Sequence, residues 1–383
     1  MKYEKNRKHK FHIKEEDVIG ALAEVVSSQG KDTRFLLSFD GAINNTSLKG
    51  RMDTLDFCIC LCLSMLILIL TSPILLVALP EGHALDIDRK HAAEVMADEN
   101  NYDTTQLVKG SRDNTPLCLV PTADGKEVYE NQYAHVDASN TNQGYVIIHY
   151  TGDSPKVKLR ITGPDEITYT YDMATDGGKD EVFPLQAGNG TYLLSVFENI
   201  EGLQYATVFS QEIEATLDDE FLPFLYPNQY VTFCADNQAI DYAEYLAYSA
   251  NTDLEVVSNV YNAIITSMTY DYHEAETVES GYLPDIDEVI TTGKGICIDY
   301  AVLMTAMLRS QKIPTRMEVG YAGTAYHAWI STYIKDIGWI NGMIQFDGKE
   351  WSLMDPTFAS TTDTKKLANF IGDGKNYKTK YIY

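Results

Sequence analysis

The sequence predicts an α+β domain over residues 221–383, preceded by a small antiparallel β-sandwich at 116–220 and by an apolar segment near the N-terminus. Short runs rich in Val, Ile, Tyr and Thr, separated by glycines, recur from 145 to 213, which is sandwich spacing. Apolar residues at helical spacing dominate the stretch that follows, up to Met268. After Cys297 an almost wholly apolar helix gives way to short β-rich runs, so helices precede a sheet instead of alternating with it.

Residues 1–51 carry ten Lys and Arg against seven Asp and Glu and read as a loosely ordered tail. Leu55 to Leu79 holds no charge except Asp56, long enough as a helix to cross a hydrocarbon core of about 30 Å. Basic residues before it and acidic ones after it place the tail in the cytoplasm and the rest outside. The expectation is an uncleaved anchor over 52–80. A cleaved signal is the alternative, since Gly82-His83-Ala84 offers small residues for cleavage and would give a secreted product. Residues 81–115 are polar and read as a tether.

The expected sandwich strands are 145–150, 157–161, 167–171, 192–197 and 206–213, immunoglobulin-like in general architecture. His135 and His149 read there as ordinary strand histidines. A Pro-containing linker, 221–230, leads to two helices, the first near 236–249. The second starts at Thr252 with Glu255 three positions on, the pattern of a capping box. Its residues Val256, Val257, Val260, Ile264, Ile265 and Met268 mark a core face. Glu274 to Thr292 reads as irregular.

Gly293 and Gly295 close a loop, and Ile298 to Leu308 is almost wholly apolar, so Cys297 opens a buried helix. Unpaired N–H groups and the positive end of the helix dipole favour a thiolate at such a position. His327 lies at the head of a strand-like run and Asp355 at the end of another, with neighbouring strands expected to carry them. A thiol, an imidazole and a carboxylate in this order are the parts of a nucleophile, its base and the group that orients the base.

Together with Arg309, Ile313-Pro314 and Gly320-Tyr321, the segments Gly295-Ile296-Cys297-Ile298-Asp299-Tyr300-Ala301, Tyr326-His327-Ala328-Trp329 and Asp355-Pro356-Thr357 resemble the transglutaminase-like superfamily, a branch of papain-like cysteine enzymes, in its bacterial membrane-anchored or secreted form. The resemblance spans roughly residues 250–360. It implies a papain-like core with Cys297 as nucleophile, His327 as general base and acid, and Asp355 as third member. It also implies that residues upstream of the cysteine line the site, making Tyr270 and Tyr272 candidates for the oxyanion pocket or cleft wall. Tyr326 and Trp329, flanking the histidine, are candidates for the cleft wall or for core packing.

An acidic body argues against nucleic-acid binding, which needs basic surface. No Cys-x-x-Cys pair or closely spaced histidines appear, so neither a metal nor another cofactor is expected. Cys58, Cys60 and Cys62 sit in the apolar segment, while Cys118 and Cys234 could pair outside a cell. The expected activity is amide hydrolysis of a protein or peptide, a cell-wall peptide being one candidate. Cross-linking of protein glutamine is the alternative within the superfamily, and a non-catalytic surface-binding protein is the alternative outside it.

Overall fold

A computed structural model describes residues 83–335, 337–341, 344–346, 351–353 and 377–383. The tail, the apolar segment at 55–79 and Asp355 lie outside these residues. Among the described residues no helix is long and apolar enough to cross a membrane.

The segment expected as a polar tether is instead built into the domain. It carries helix α1 (His83–Ala97) and a single 3₁₀ turn, and Met96 is fully buried. Tyr102 stacks on Tyr242 with ring centroids 5.0 Å apart and donates its hydroxyl to the Met96 carbonyl at 2.6 Å. Arg112 pairs with Asp253 at 2.6 Å, and the Asn114 amide donates to the Ala250 carbonyl at 3.0 Å. The polar residues that look like linker composition thus bind the backbone and charges of the helices behind them.

The sandwich contains two four-stranded antiparallel sheets. One has β1 (Val128–Glu130), β2 (Ala134–Asp137), β3 (Tyr145–Tyr150) and β6 (Glu181–Pro184) in the order β1-β2-β3-β6. The other has β4 (Val157–Thr162), β5 (Thr168–Asp172), β7 (Gly190–Glu201) and β8 (Gln204–Ala215) in the order β5-β4-β7-β8. Val136, Val146 and Ile148 from the first sheet and Leu159, Leu194 and Val196 from the second are fully buried, the alternation that a two-sheet core requires. The five expected strands are present. Strands β1, β2 and β6 span only three or four residues and offer too little alternation to be seen in the sequence.

Beyond the linker come α2 (Gln238–Ala247) and α3 (Asp253–Ser267). The Thr252 hydroxyl accepts from the Glu255 N–H at 3.2 Å, as a capping residue does. The Glu255 carboxylate takes the Asn251 N–H at 2.6 Å, so the reciprocal half of the expected box is displaced by one residue. The stretch read as irregular contains β9 (Thr269–Tyr270), α4 (Tyr272–Thr277) and α5 (Ile286–Thr292), before β10 (Lys294–Gly295). Helix α6 (Cys297–Ser310) follows, and Tyr300 to Leu308 are fully buried. A helix apolar on every side must be enclosed on every side. Helices α2, α3 and α5 and the sheet strands β11 (Thr315–Ala322) and β12 (Ala325–Ile334) enclose it.

That sheet is antiparallel in the order β13-β12-β11-β16, with β13 (Gly338–Asn341) and β16 (Tyr377–Ile382) at its edges. The run beginning at Trp351 forms β15 (Trp351–Leu353) and pairs with β14 (Ile344–Phe346), not with β12. The expectation that it neighbours the histidine strand is therefore corrected. The β12 edge is already taken by β13, which follows after a turn of three residues and so closes a local hairpin.

The sandwich and this sheet meet through tyrosines: Tyr230 and Tyr383 have ring centroids 4.4 Å apart, and Tyr169 and Tyr381 5.4 Å. Arg309 locks the same junction. Its guanidinium, almost wholly buried, donates to the carbonyls of Tyr226 at 2.7 Å, Tyr383 at 2.9 Å and Thr315 at 3.0 Å. One side chain thereby ties the linker, the end of β16 and the start of β11 to α6. Arg309→Met fills similar volume but removes the side-chain donor from the Tyr226 and Thr315 carbonyls, at about 1–3 kcal/mol each, while the Tyr383 carbonyl keeps the Met317 N–H at 3.0 Å. Denaturant unfolding should show a loss above about 2 kcal/mol, and a loss below 1 kcal/mol would rule out this anchoring role.

Candidate active site

Cys297 occupies the first position of α6, and the residues around it explain why the helix starts there. The Asp299 carboxylate folds back to accept the Ile296 N–H at 2.6 Å, which closes the first turn. This fold-back needs the glycine before it, since a Cβ on Gly295 would lie 2.6 Å from the Asp299 Cβ. The N–H groups of Cys297 and Ile298 belong to the first turn, where helical N–H groups have no acceptor within the helix. They are the donors available to a developing oxyanion beside the Cys297 sulfur.

Asp299 is fully buried and also accepts from the Tyr282 hydroxyl at 2.9 Å. Burial, with Glu274 and Glu288 adding repulsion, raises its pKa to about 6. The same contact pushes the Tyr282 phenol well above its ordinary range, through burial first and the Asp299 charge second. Tyr282 is thus a site-supporting residue with no sequence signal, because it reaches Asp299 from a loop seventeen positions away.

Two walls flank the thiol. On one side, β9 and β10 pair in parallel with Tyr270 opposite Gly295, and the Asp271 N–H donates to the Gly295 carbonyl at 3.0 Å. Tyr270 is half-buried, while Tyr272 is 62% exposed, and their rings meet edge-on at 5.0 Å. On the other side, β12 brings Tyr326, which pairs with Tyr321 across the hairpin at 5.5 Å between rings. The Tyr326 pKa is pushed up to about 12, by burial first, then by Tyr381, Tyr230 and Tyr321, and also by Cys297, which places the thiol within electrostatic reach. His327, next along the strand, is 4% exposed. Trp329 shares its face two residues on, with ring centroids 6.4 Å apart. Trp329 is buried and packs against Tyr377 at 5.0 Å.

Opposite His327 in the hairpin stands Gly320. A Cβ there would lie 2.1 Å from the Lys378 carbonyl, because β16 approaches closely at a register shift between Val319 and Gly320. Buried Glu318 reinforces this point: it accepts from Ser331 on β12 and from Thr379 on β16, joining three strands with one carboxylate. The triad member expected at Asp355 lies outside the described residues. Cys118 and Cys234 are free thiols, and burial pushes Cys118 up to about 11, with Cys234 close enough to add to the shift.

Residues 240–342 match the family model of the transglutaminase-like superfamily. This region is a transglutaminase-like domain. Among curated proteins, none matches the chain. Several solved structures are similar at low identity. A candidate cysteine protease from Cytophaga hutchinsonii is 16% identical over 64% of this chain and 76% of that one, with a TM-score of 0.29. The periplasmic domain of TgpA from Pseudomonas aeruginosa is 14% identical over 63% and 76%, with a TM-score of 0.27. Red sea bream transglutaminase is 12% identical over 57% and 48%, with a TM-score of 0.24.

The transglutaminase-like domain makes two predictions. Gly320→Ala should force β16 away from the hairpin and cost about 1–3 kcal/mol. Thermal unfolding of that variant measures the loss, and an unchanged melting temperature would show that the strands relax without cost. Asp299 sets a pH window. Its folded pKa of about 6 lies above its ordinary value of 3.8, so between them the folded protein holds a proton that the unfolded chain has released. Stability from this group is therefore fully present below about pH 4 and is lost as pH rises through 6, by roughly 3 kcal/mol. Unfolding of wild type and Asp299→Asn at both ends of that window should show their stability difference shifting against wild type as pH rises. A constant difference would mean that Asp299 does not titrate there.

Proposed function

We propose that the transglutaminase-like domain is a cysteine-dependent amide hydrolase acting on a protein or peptide outside the cytoplasmic membrane. The observation that carries this reading is the position of Cys297. It opens a buried helix, with first-turn N–H groups beside the sulfur and the strand bearing His327 alongside. The Cys297 thiolate adds to an amide carbonyl, forming a C–S bond while the carbonyl electrons move to oxygen under the first-turn N–H groups. Collapse breaks the C–N bond, and the imidazolium of His327 delivers its proton to the departing amine, leaving a thioester. His327 then takes a proton from water, whose oxygen attacks the thioester and releases the carboxylate and the thiol. Asp355 is assigned the orienting role by its place in the sequence, and the apolar stretch at 55–79 that of a membrane anchor.

One observation favours amine transfer as a second reading. Residues 271–288, which include the wall bearing Tyr272, hold seven Asp and Glu and no Lys or Arg. Such a surface raises the local concentration of cationic amines. Incubation with casein and a fluorescent primary amine, followed by mass spectrometry, separates the two. New peptide termini or free carboxylates should outpace amine incorporation, whereas faster incorporation would make the domain a transferase. Cys297→Ala should abolish both products, and His327→Ala should lower the rate by on the order of 10⁶. Asp355→Asn should retain weak activity, because an orienting group contributes less than the nucleophile or base. Full activity in Cys297→Ala would overturn the assignment.

A further inference from the structure

The two carboxylate oxygens of Asp299 are spent in different directions, and the proposed chemistry uses neither. Oδ2 accepts the Ile296 N–H at 2.6 Å, at the start of α6, and Oδ1 accepts from the Tyr282 hydroxyl at 2.9 Å. The same hydroxyl faces a second acceptor, Glu274 on α4, which is half-buried. A line of three titratable groups therefore runs from the fully buried Asp299, beside the nucleophile, to the protein surface.

Both protonation states of Asp299 keep these bonds. As a carboxylate it accepts from Ile296 and from Tyr282. As a neutral acid it keeps Oδ2 as the acceptor for Ile296 and turns an Oδ1–H onto the Tyr282 oxygen, whose own proton then goes to Glu274. The first turn thus has the same geometry in both states, and what changes is one negative charge. Burial opposes that charge most, and the charged groups that face it, Glu274 from α4 and Glu288 from α5, are both acidic. The hydrogen bonds from Ile296 and Tyr282 favour it. The balance sets the change of charge at about pH 6.

The proposed thioester route gathers negative charge at the Cys297 sulfur and then on the oxygen beside the Cys297 and Ile298 N–H groups. The Asp299 carboxylate binds the N–H directly before them in the chain, in an interior where like charges repel more than in water. We propose that Asp299, with Tyr282 as its partner, is a positioning residue whose charge sets the rate of the Cys297 reaction. Neutral, it holds the first turn without opposing the transition state; ionised, it holds the same turn and slows the chemistry. This role rests on the assignment of Cys297 as nucleophile above. It adds to the pH profile an inflection that belongs neither to the thiol nor to His327.

Alkylation of the full chain by iodoacetamide, read by mass spectrometry of the peptide that contains Cys297, follows the thiol without needing a substrate. Asp299→Asn keeps an oxygen for Ile296 and offers an N–H to Tyr282, but it is neutral at every pH. The rate of this variant over that of wild type should rise about tenfold between pH 5 and 7.5, and the ratio removes the ionisation of His327 that both share. In a Tyr282→Phe background the same ratio should have its midpoint at higher pH, because a bond that favours the carboxylate is gone. A ratio independent of pH would reduce Asp299 to a helix cap and overturn the proposal, as would a midpoint that Tyr282→Phe leaves in place. Should Asp299→Asn fail to fold, Tyr282→Phe decides alone: its rate over wild type should peak just above pH 6, and a flat ratio overturns the proposal. A pH-dependent ratio in a protein that cleaves no peptide would support this role and overturn the hydrolase reading instead.

Discussion

The Ile296 N–H would be a buried donor without a helical acceptor, and the Asp299 carboxylate at 2.6 Å is what meets it. Much of the site geometry follows from that bond. It requires glycine at 295, where any side chain would strike Asp299. It leaves the next N–H groups, at Cys297 and Ile298, as the unspent donors of the first turn. It also buries a carboxylate, which raises that group's pKa and draws Tyr282 in as a hydroxyl donor. Tyr282 in turn ties the loop of 278–285 to α6. A motif that reads as glycine, cysteine and aspartate is, physically, one capping interaction and its steric consequence.

The second constraint is enclosure. Because α6 is buried on every face, the carbonyls at its far end are met inside the protein by the N–H groups of Gln311, Lys312, Ile313 and Leu117, which leaves the Arg309 side chain free to fasten what surrounds the helix. Burial disfavours the guanidinium charge, and the three carbonyls offset part of that cost. The carbonyls come from the linker, the start of β11 and Tyr383 just past β16, so the sandwich junction and the sheet of β11 and β12 share one fastening. The tyrosines of β5 and β16 pack around it. The sandwich is in this sense a brace behind the strand that crowds Gly320, and hence behind the hairpin that carries His327.

What could be read in the sequence was what repeats locally. Helices α2, α3 and α6 and the long sandwich strands carry their own periodicity, and the hairpin of β11 and β12 has β-branched and aromatic residues between Pro314 and Gly338. The positions of Cys297 and His327 on those elements were legible for the same reason. What was missed depends on distant partners. The supposed tether was misread because its Asn, Arg and Thr are also the residues of loops, and only the folded helices reveal the carbonyls and charges they bind. Strand β15 was placed beside β12 because composition marks a strand but not its neighbour. Tyr282 and Glu318 act through contacts seventeen and thirteen or more positions away, beyond any local pattern.

Charge is distributed unevenly over the transglutaminase-like domain. Residues 271–288 hold seven carboxylates, whereas the β16 edge of the sheet presents Lys378 and Lys380, both exposed. Lys378 lies across from Tyr321, so the basic edge adjoins one aromatic pair and the acidic wall contains Tyr272 of the other. Fields of this kind act over about 8–10 Å at physiological salt, so charged groups near either segment are influenced before contact. Exposed tyrosines then supply contact area that does not depend on a particular side chain. Opposite charge and exposed aromatic area thus occur together on both segments, with Tyr272 on the acidic one and Tyr321 beside the basic one.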